Sequence, residues 1–186
     1  MPLKVGRVPL LTLWAAVVAR RCGYLDGEAL TWGRAVAGQT AAAKAKRLGL
    51  SREATASRRP VHARRREIEP ILVTSFMEHR LPCVRTPEGL RTLSSASAID
   101  PSKVRTYPRA KLGDALAEIE GHREAVAATY APEDLERQAM NLHRVMRPSV
   151  PHGEEGWGKA DPLDLETVDR LRAPRGAAGA AERERA

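Results

Sequence analysis

The sequence predicts a mainly α-helical protein with a small antiparallel β-hairpin between an N-terminal helix pair and a C-terminal helical group. Three observations predict this class. Apolar residues recur at helical spacing before residue 50 and again after residue 100. Between them, a β-branched run and a Pro–Gly turn indicate paired strands. Hydrophobic residues make up 42% of the chain, which is enough for a core, although aromatic residues are only 4%.

The first predicted helix covers about residues 9–21. Pro9 suits the first turn of a helix, and Gly23 suits the position just past its end. Its buried side is expected to hold Leu10, Leu13, Trp14, Val17 and Val18. A basic segment before an apolar stretch also opens a secretory signal, but the paired arginines directly behind this stretch favour a buried helix. We therefore expect a cytoplasmic protein, and no apolar run reaches the roughly 20 residues of a membrane-spanning helix.

The second predicted helix has Asp26 as its N-cap and ends near Arg47, before Gly49. Small residues repeat at every fourth position along it: Ala29, Gly33, Ala37, Ala41 and Ala45. Residues four apart share a helix face, so this small-residue stripe predicts a surface on which another helix packs closely. The other helix belongs either to this chain or to a partner. A second copy would form a homo-oligomer through Ala29, Gly33, Ala37 and Ala41.

The same helix pair follows the helix-turn-helix pattern. Ala19 would pack under the turn, Gly23 would allow the turn, and Leu30 would anchor the second helix. The residues that face the major groove in such a motif would be Gly27, Glu28, Thr31 and Arg34. This set holds an acid and only one strong base reader, so the pattern favours a plain helix pair over a sequence-reading one.

Positive charge is concentrated at the front of the chain, whose net charge is +8 overall. Residues 1–66 carry 14 basic and three acidic residues, whereas residues 67–186 carry 17 basic and 20 acidic ones. The asymmetry has two interpretations. A GC-rich coding sequence raises the arginine content, but it does not explain why acids are scarce in the first third. The other interpretation is a surface that meets a polyanion, DNA or RNA.

The basic residues that would contact phosphates lie in two groups, one on the second helix and one in residues 51–69. The second group has almost nothing to bury, which predicts a basic linker. Together the candidates are Arg34, Lys44, Lys46, Arg47, Arg58, Arg59, Arg64, Arg65 and Arg66. A solvated loop is the alternative for the linker arginines. No aromatic residue lies among them, so the sequence shows no platform on which single-stranded bases would stack.

We divide the chain into a helix pair (1–50), the basic linker (51–69), an α+β region (70–172) and a disordered tail (173–186). In the α+β region, residues 71–76 and 83–85 predict two strands, and the turn at 86–89 predicts a third over 90–93. His79 and Cys83 are close in sequence, but no further ligand has a suitable spacing. We expect a buried thiol there, no metal and no cofactor.

Helices are predicted again after residue 99. Asp100 is the expected N-cap of a short helix that runs toward Tyr107. Two longer helices cover about residues 112–130 and 132–147, and a short one closes the fold. Their inward residues are Leu112, Leu116, Ile119, Val126 and Tyr130, then Leu135, Ala139, Leu142 and Met146, then Leu163, Leu165, Val168 and Leu171. His122 and His143 have no partner at four residues' distance, so we expect surface or hydrogen-bonded rings.

A glycine-rich loop over residues 152–159 surrounds Trp157. The flanking glycines free the backbone to place the indole at one specific position. The loop has two interpretations. Trp157 with His152, Glu154 and Glu155 lines a ligand pocket, or Trp157 is a plug that seals the last helix onto the core. We favour the plug.

Residues 14–19, 28–31, 33–38, 87–91 and 156–158 carry short motifs. With these motifs the chain resembles a family of small bacterial proteins without an assigned activity, over about residues 8–172. The resemblance implies a cytoplasmic bacterial protein, and it supplies no catalytic or binding residues.

The chain carries no sequence signature of an enzyme. It has no glycine-rich phosphate loop ending in Lys-Ser/Thr, no Gly-x-Ser-x-Gly turn and no His-Glu-x-x-His. We therefore expect a binding protein and no catalytic residues. The leading hypothesis is a nucleic-acid-associated protein that contacts mostly phosphates. The alternative is a protein–protein adaptor built on the small-residue stripe.

Overall fold

A computed structural model describes residues 4–50, 72–94, 97–151 and 153–172. It confirms a mainly helical fold with a small antiparallel sheet. The helices are α1 (Arg7–Arg21), α2 (Asp26–Arg47), α3 (Pro101–Leu112), α4 (Leu116–Ala127), α5 (Pro132–Met146) and α6 (Leu165–Arg170). The strands are β1 (Lys4–Gly6), β2 (Leu72–Phe76), β3 (His79–Thr86), β4 (Gly89–Ser94), β5 (Ser97–Ala98) and β6 (Ala160–Pro162).

Helix α1 forms the centre of the fold. It contacts α2, α3, α4 and α5, and every residue from 9 to 19 is buried. The predicted inward residues are confirmed, and burial extends around the whole helix because its sequence is apolar on all sides. The indole N–H of Trp14 donates to the carbonyl oxygen of Ala139 on α5 (2.8 Å). Gly23 ends the turn of chain after α1 with a φ of +94°, as predicted.

The start of α2 differs from the prediction. Its N-cap is Leu25, so the prediction of Asp26 as the N-cap is wrong. The helix begins one residue earlier because the carboxylate of Glu28 accepts the N–H of Leu25 (3.0 Å). This bond satisfies a backbone donor at the helix start. Asp26 instead pairs with Arg20 (3.3 Å) and with Arg105 on α3.

The small-residue stripe packs inside the chain. A Cβ at Gly33 would lie 2.3 Å from the carbonyl oxygen of Thr12, which shows how closely α2 approaches α1. Ala29 and Ala37 are fully buried, and Ala41 is half-buried. The predicted packing surface is confirmed at Ala29, Gly33 and Ala37, which are buried within this chain. A homo-oligomer or adaptor contact through Ala29, Gly33, Ala37 and Ala41 stays a prediction.

Strands β2, β3, β4 and β5 form one antiparallel sheet in that order, as the predicted hairpin required. The two-residue turn between β3 and β4 lies where it was predicted, between Thr86 and Gly89. The sheet packs on α2 through β4, where the hydroxyl of Thr92 donates to the carbonyl oxygen of Thr31 (2.7 Å). The turn between β2 and β3 was not predicted. Both of its central residues, Met77 and Glu78, have positive φ angles (47° and 65°).

A two-stranded antiparallel sheet joins the front and the back of the described chain. Strand β1 pairs with β6, with Val5 opposite Asp161. Val5 is buried with Leu10 and Leu13 of α1, and Leu163 covers the same cluster. The sequence did not predict this pairing because three-residue strands carry almost no periodicity.

The C-terminal helices follow the prediction with changed bounds. Helix α3 continues past Tyr107 to Leu112, and a 3₁₀ turn at Gly113–Ala115 separates it from α4. The four inward residues predicted for α5 are all buried. A single buried cluster includes residues of α1, α2, β2, β3, α4, α5 and α6, so the described parts of segments 1–50 and 70–172 share one core.

Two predicted segments lie outside the described residues. They are the basic linker at 51–69 and the tail at 173–186. Across the ranges that the structure describes, no helix has both the length and the apolar character needed to cross a membrane.

Candidate nucleic-acid interface

The structure separates the predicted phosphate-binding residues. Lys44, Lys46 and Arg47 lie in the last turn of α2, whereas Arg34 lies about 15 Å earlier along the helix, beside Lys103 of α3. The other predicted residues, Arg58, Arg59, Arg64, Arg65 and Arg66, lie outside the described residues. The candidate interface is therefore built around the end of α2.

Two arginines from other parts of the chain lie close enough to Lys44 for their charges to act on its pKa. Arg7 is the first residue of α1 and Arg147 directly follows α5. Burial lowers the pKa of Lys44, and the positive charges of Arg7, Arg147 and Arg47 lower it further. Burial and the charge of Arg147 also lower the pKa of Arg7, against which Asp161 acts. We call Arg7, Lys44, Arg47 and Arg147 the basic cluster.

Backbone packing fixes the position of the basic cluster. The Nε of Arg7 donates to the carbonyl oxygen of Pro148 (3.0 Å), which joins the start of α1 to the end of α5. Pro148 itself is buried, so this junction is part of the folded core. The third member, Lys44, reaches the junction because α2 lies against α1 along the small-residue stripe.

Trp157 lies beside the basic cluster. Its side chain is 40% exposed, and the Nζ of Lys44 lies 5.8 Å from the ring centre, within cation–π range. The prediction that Trp157 is a buried plug is therefore wrong. Gly156 sets the loop close to the preceding chain, since a Cβ there would lie 1.9 Å from the carbonyl oxygen of Pro151.

Of the four residues in the ligand-pocket interpretation of this loop, the structure describes the side chains of Glu155 and Trp157. Glu155 is exposed, while His152 and the side chain of Glu154 lie outside the described part of the chain. The feature that the structure supplies is a solvent-exposed indole next to Lys44, one of the four cations of the basic cluster. That combination suits a ligand with both negative charge and flat rings.

The basic cluster has no ion-pair partner in the described part of the chain. Arg20, Arg105, Arg137 and Arg170 each pair with a carboxylate, but none of the four cluster cations does so. Like charges held close together repel one another. Asp161 offsets this repulsion only at Arg7, and a bound anion relieves the rest. The arrangement can therefore hold phosphate groups.

The helix-turn-helix interpretation is wrong at its reading positions. Thr31 is fully buried against β4, and the carboxylate of Glu28 accepts backbone N–H groups of Leu25 and Leu90. Gly27 faces the guanidinium of Arg91. Because α1, α3 and β4 all contact α2, this stretch of the helix cannot enter a major groove.

The predicted thiol environment is confirmed. Cys83 is fully buried, and burial raises the pKa of its thiol. The ring of His79 bonds to Thr40 and to the carbonyl oxygen of Met77. Among the residues that the structure describes, no group of three or more His, Cys, Asp or Glu side chains could hold a metal ion.

The sequence did not assign Arg7, Arg147 or Trp157 to this candidate interface, and it placed Trp157 instead in a ligand pocket or a plug. Each belongs to a different local pattern, and only the packing of α1, α2 and α5 brings them together. Comparison of the chain with protein-family models, curated proteins and solved structures gave no match. The resemblance to a family of small bacterial proteins stays a prediction.

Proposed function

We propose that the protein is a cytoplasmic nucleic-acid-binding protein that holds the phosphate backbone with its basic cluster. The observation that carries this proposal is the convergence of four cations from three parts of the chain, without an ion-pair partner among the described residues. Phosphates are the anions that such a cluster suits best when they repeat along a chain. The excess of basic residues in the first third of the sequence supports the same function.

The preferred form of nucleic acid is single-stranded. Trp157 presents an exposed ring at the edge of the basic cluster, and unpaired bases stack on such rings. Reading of bases in a duplex groove is not supported, because Thr31 is buried and Glu28 is already bonded to backbone N–H groups. Of the α2 positions that would face a groove, Arg34 is exposed. Affinity should depend weakly on sequence, since phosphate contacts carry no sequence information.

Salt dependence tests the phosphate contacts. Fluorescence anisotropy of a labelled 20-nucleotide strand should give a linear fall of log affinity with log salt, with a slope of about −0.7 for each phosphate neutralised. The double variant Lys44→Gln/Arg147→Gln should flatten that slope by about 1.4. The matched control, Arg137→Gln/Arg170→Gln, removes two exposed arginines that pair with nearby acids and should leave the slope unchanged. Equal slopes in the two double variants, or no binding at low salt, would contradict the proposal.

The fluorescence of Trp157 tests the single-strand preference. Trp14 and Trp32 are fully buried, so quenching by an added strand reports on Trp157. Replacing it in Trp157→Leu should weaken single-strand binding by about 1–3 kcal/mol and leave the salt slope unchanged. The same substitution should weaken the binding of a duplex of the same length much less. If Trp157→Leu weakens both forms equally, stacking is not the reason for binding.

A further inference from the structure

A fully buried arginine lies in the interior without a counter-ion. Arg123 on α4 is 0% exposed, and its Nη1 donates to the carbonyl oxygen of Leu10 on α1. Its Nε and Nη2 have no hydrogen-bond partner in the described structure. Burial lowers the pKa of the guanidinium to about 9, so the group keeps its charge at neutral pH. A charge in this position is strongly destabilising unless something compensates it.

The two unpartnered nitrogens form one edge of the guanidinium. The N–H of Nε and one N–H of Nη2 point in the same direction, whereas Nη1 is used at the other end by Leu10. This paired edge is the one that binds two oxygens of a single carboxylate or phosphate. The geometry of these two N–H groups therefore suits an acceptor with two oxygens.

A second buried polar group lies close enough to Arg123 to be affected by its charge. His143 on α5 is 4% exposed, and its Nδ1 has no hydrogen-bond partner in the described structure. Burial lowers the pKa of His143, and among the charges that lower it further Arg123 acts most strongly. Arg147, Arg7 and Arg144 act in the same direction. A neutral ring that carries its proton on Nδ1 can donate one hydrogen bond from that atom.

The neighbouring acids are already occupied. Glu120 and Glu124 lie on α4 with Arg123, but both pair with Arg20 (2.6 and 3.5 Å). No acid is among the groups that shift the pKa of Arg123 or His143. A buried water would satisfy hydrogen bonds, but it would bring no negative charge to this surplus of cations.

We propose that Arg123 and His143 bind a small oxyanion inside the fold. Two oxygens would lie on the Nε and Nη2 edge of Arg123, and a third contact would come from Nδ1 of His143. Phosphate, sulfate and a small carboxylate share this chemistry. The site uses none of the four cations of the basic cluster and stands whether or not that cluster binds a strand.

Thermal unfolding tests the site. The wild-type midpoint is measured at constant pH and ionic strength in chloride, inorganic phosphate, sulfate and acetate. Phosphate at one hundred times its dissociation constant should raise the midpoint by roughly 5–10 °C over chloride. The variant Arg123→Met keeps an unbranched side chain without the guanidinium and should lose this response. The matched surface variant, Arg137→Gln, changes an exposed arginine of α5 that lies outside the basic cluster, and it should keep the response.

The responses to the different salts distinguish the classes of ligand. A response to acetate as large as that to phosphate identifies a carboxylate ligand, and a response to phosphate and sulfate alone identifies a tetrahedral one; both support the site. Should Arg123→Met fail to fold, His143→Leu carries the test, because loss of one hydrogen bond should raise the half-saturating phosphate concentration about tenfold. A wild-type midpoint that is equal in all four salts overturns the proposal. So does a phosphate response that persists in Arg123→Met, since the anion would then lie elsewhere.

Discussion

At Gly33 the backbones of α1 and α2 come closer than a side chain allows. We predict that Gly33→Ala lowers the free energy of unfolding by about 1–3 kcal/mol, because its Cβ would lie 2.3 Å from a backbone oxygen of Thr12 that cannot rotate away. This loss would outweigh the higher helix propensity of alanine. Denaturant unfolding measures the change.

Gly121 provides the matched control. It also lies within a helix, α4, but a Cβ there meets nothing within 4 Å. Gly121→Ala should therefore stabilise the fold by about 0.5–1 kcal/mol. If both alanine variants shift stability in the same direction, the close approach of the two helices is not the cause.

His143 makes stability depend on pH. Burial and the charges of Arg123, Arg147, Arg7 and Arg144 hold its pKa well below 6.5, so the folded ring is neutral where the unfolded ring takes a proton. This contribution is fully present above pH 6.5 and is lost as the pH falls below it, by up to about 1.4 kcal/mol per pH unit. The measurement is denaturant unfolding between pH 7.5 and 4.5 in an amine buffer with chloride.

The variant His143→Leu should remove this component of the pH dependence. The comparison variant is His122→Asn, which changes a half-buried ring that bonds to Asp169 (2.8 Å). In His122→Asn, the part of the pH dependence of the unfolding free energy that is due to His143 should remain. An unchanged slope in His143→Leu would show that other groups cause the acid sensitivity.

Among the elements, α2 and β4 are joined by one carboxylate. Glu28 accepts the N–H of Leu25 at the start of α2 (3.0 Å) and the N–H of Leu90 on β4 (2.6 Å). We predict that Glu28→Ala lowers the free energy of unfolding by about 1.5–3 kcal/mol, because two backbone donors lose a charged acceptor. Chemical denaturation checks this value.

Glu133 is the control for a plain helix-dipole effect. It occupies the first turn of α5 and is exposed. Glu133→Ala should change stability by less than about 1 kcal/mol. An equal loss in the two variants would mean that the bond to Leu90 adds nothing.

Elements with local signals could be predicted from the sequence. Helix α5 has a proline at its first position, acids in its first turn and four inward residues at helical spacing, and all of these features are observed. The turn at Met77 and Glu78 could not be predicted. Two residues with positive φ normally require Asn or Gly, and neither Met nor Glu signals such a turn. Pairing of β2 with β3 over five positions holds the chain there.

The candidate site was less predictable than the helices that carry it. Lys44 was found because it lies in a local run of basic residues, but Trp157 is more than one hundred residues away. Their contact depends on how α2 lies against α1, and the two helices approach most closely at Gly33. Local patterns contain no information about such a distance, so the sequence alone suggested no aromatic platform.

For the molecule as a whole, α1 depends on elements from both halves of the chain. It contacts α2 from the front half and α3, α4 and α5 from the back half. We predict that a peptide of residues 1–50 shows no cooperative thermal transition by circular dichroism, because most partners of α1 are missing. The full chain should show one transition, with coincident midpoints from circular dichroism and tryptophan fluorescence. A folded 1–50 peptide would contradict this prediction.

The pairing of β1 with β6 has a consequence for biosynthesis. Val5 leaves the ribosome long before Asp161, its partner across the sheet. At roughly 5–20 residues per second, the first strand waits about ten seconds or more for the second. During that interval the face of α1 that holds Leu10 and Leu13 lacks the cover of Leu163. The nascent chain therefore exposes an apolar surface until Asp161 and Leu163 have been synthesised, and chaperone binding should be strongest in that period.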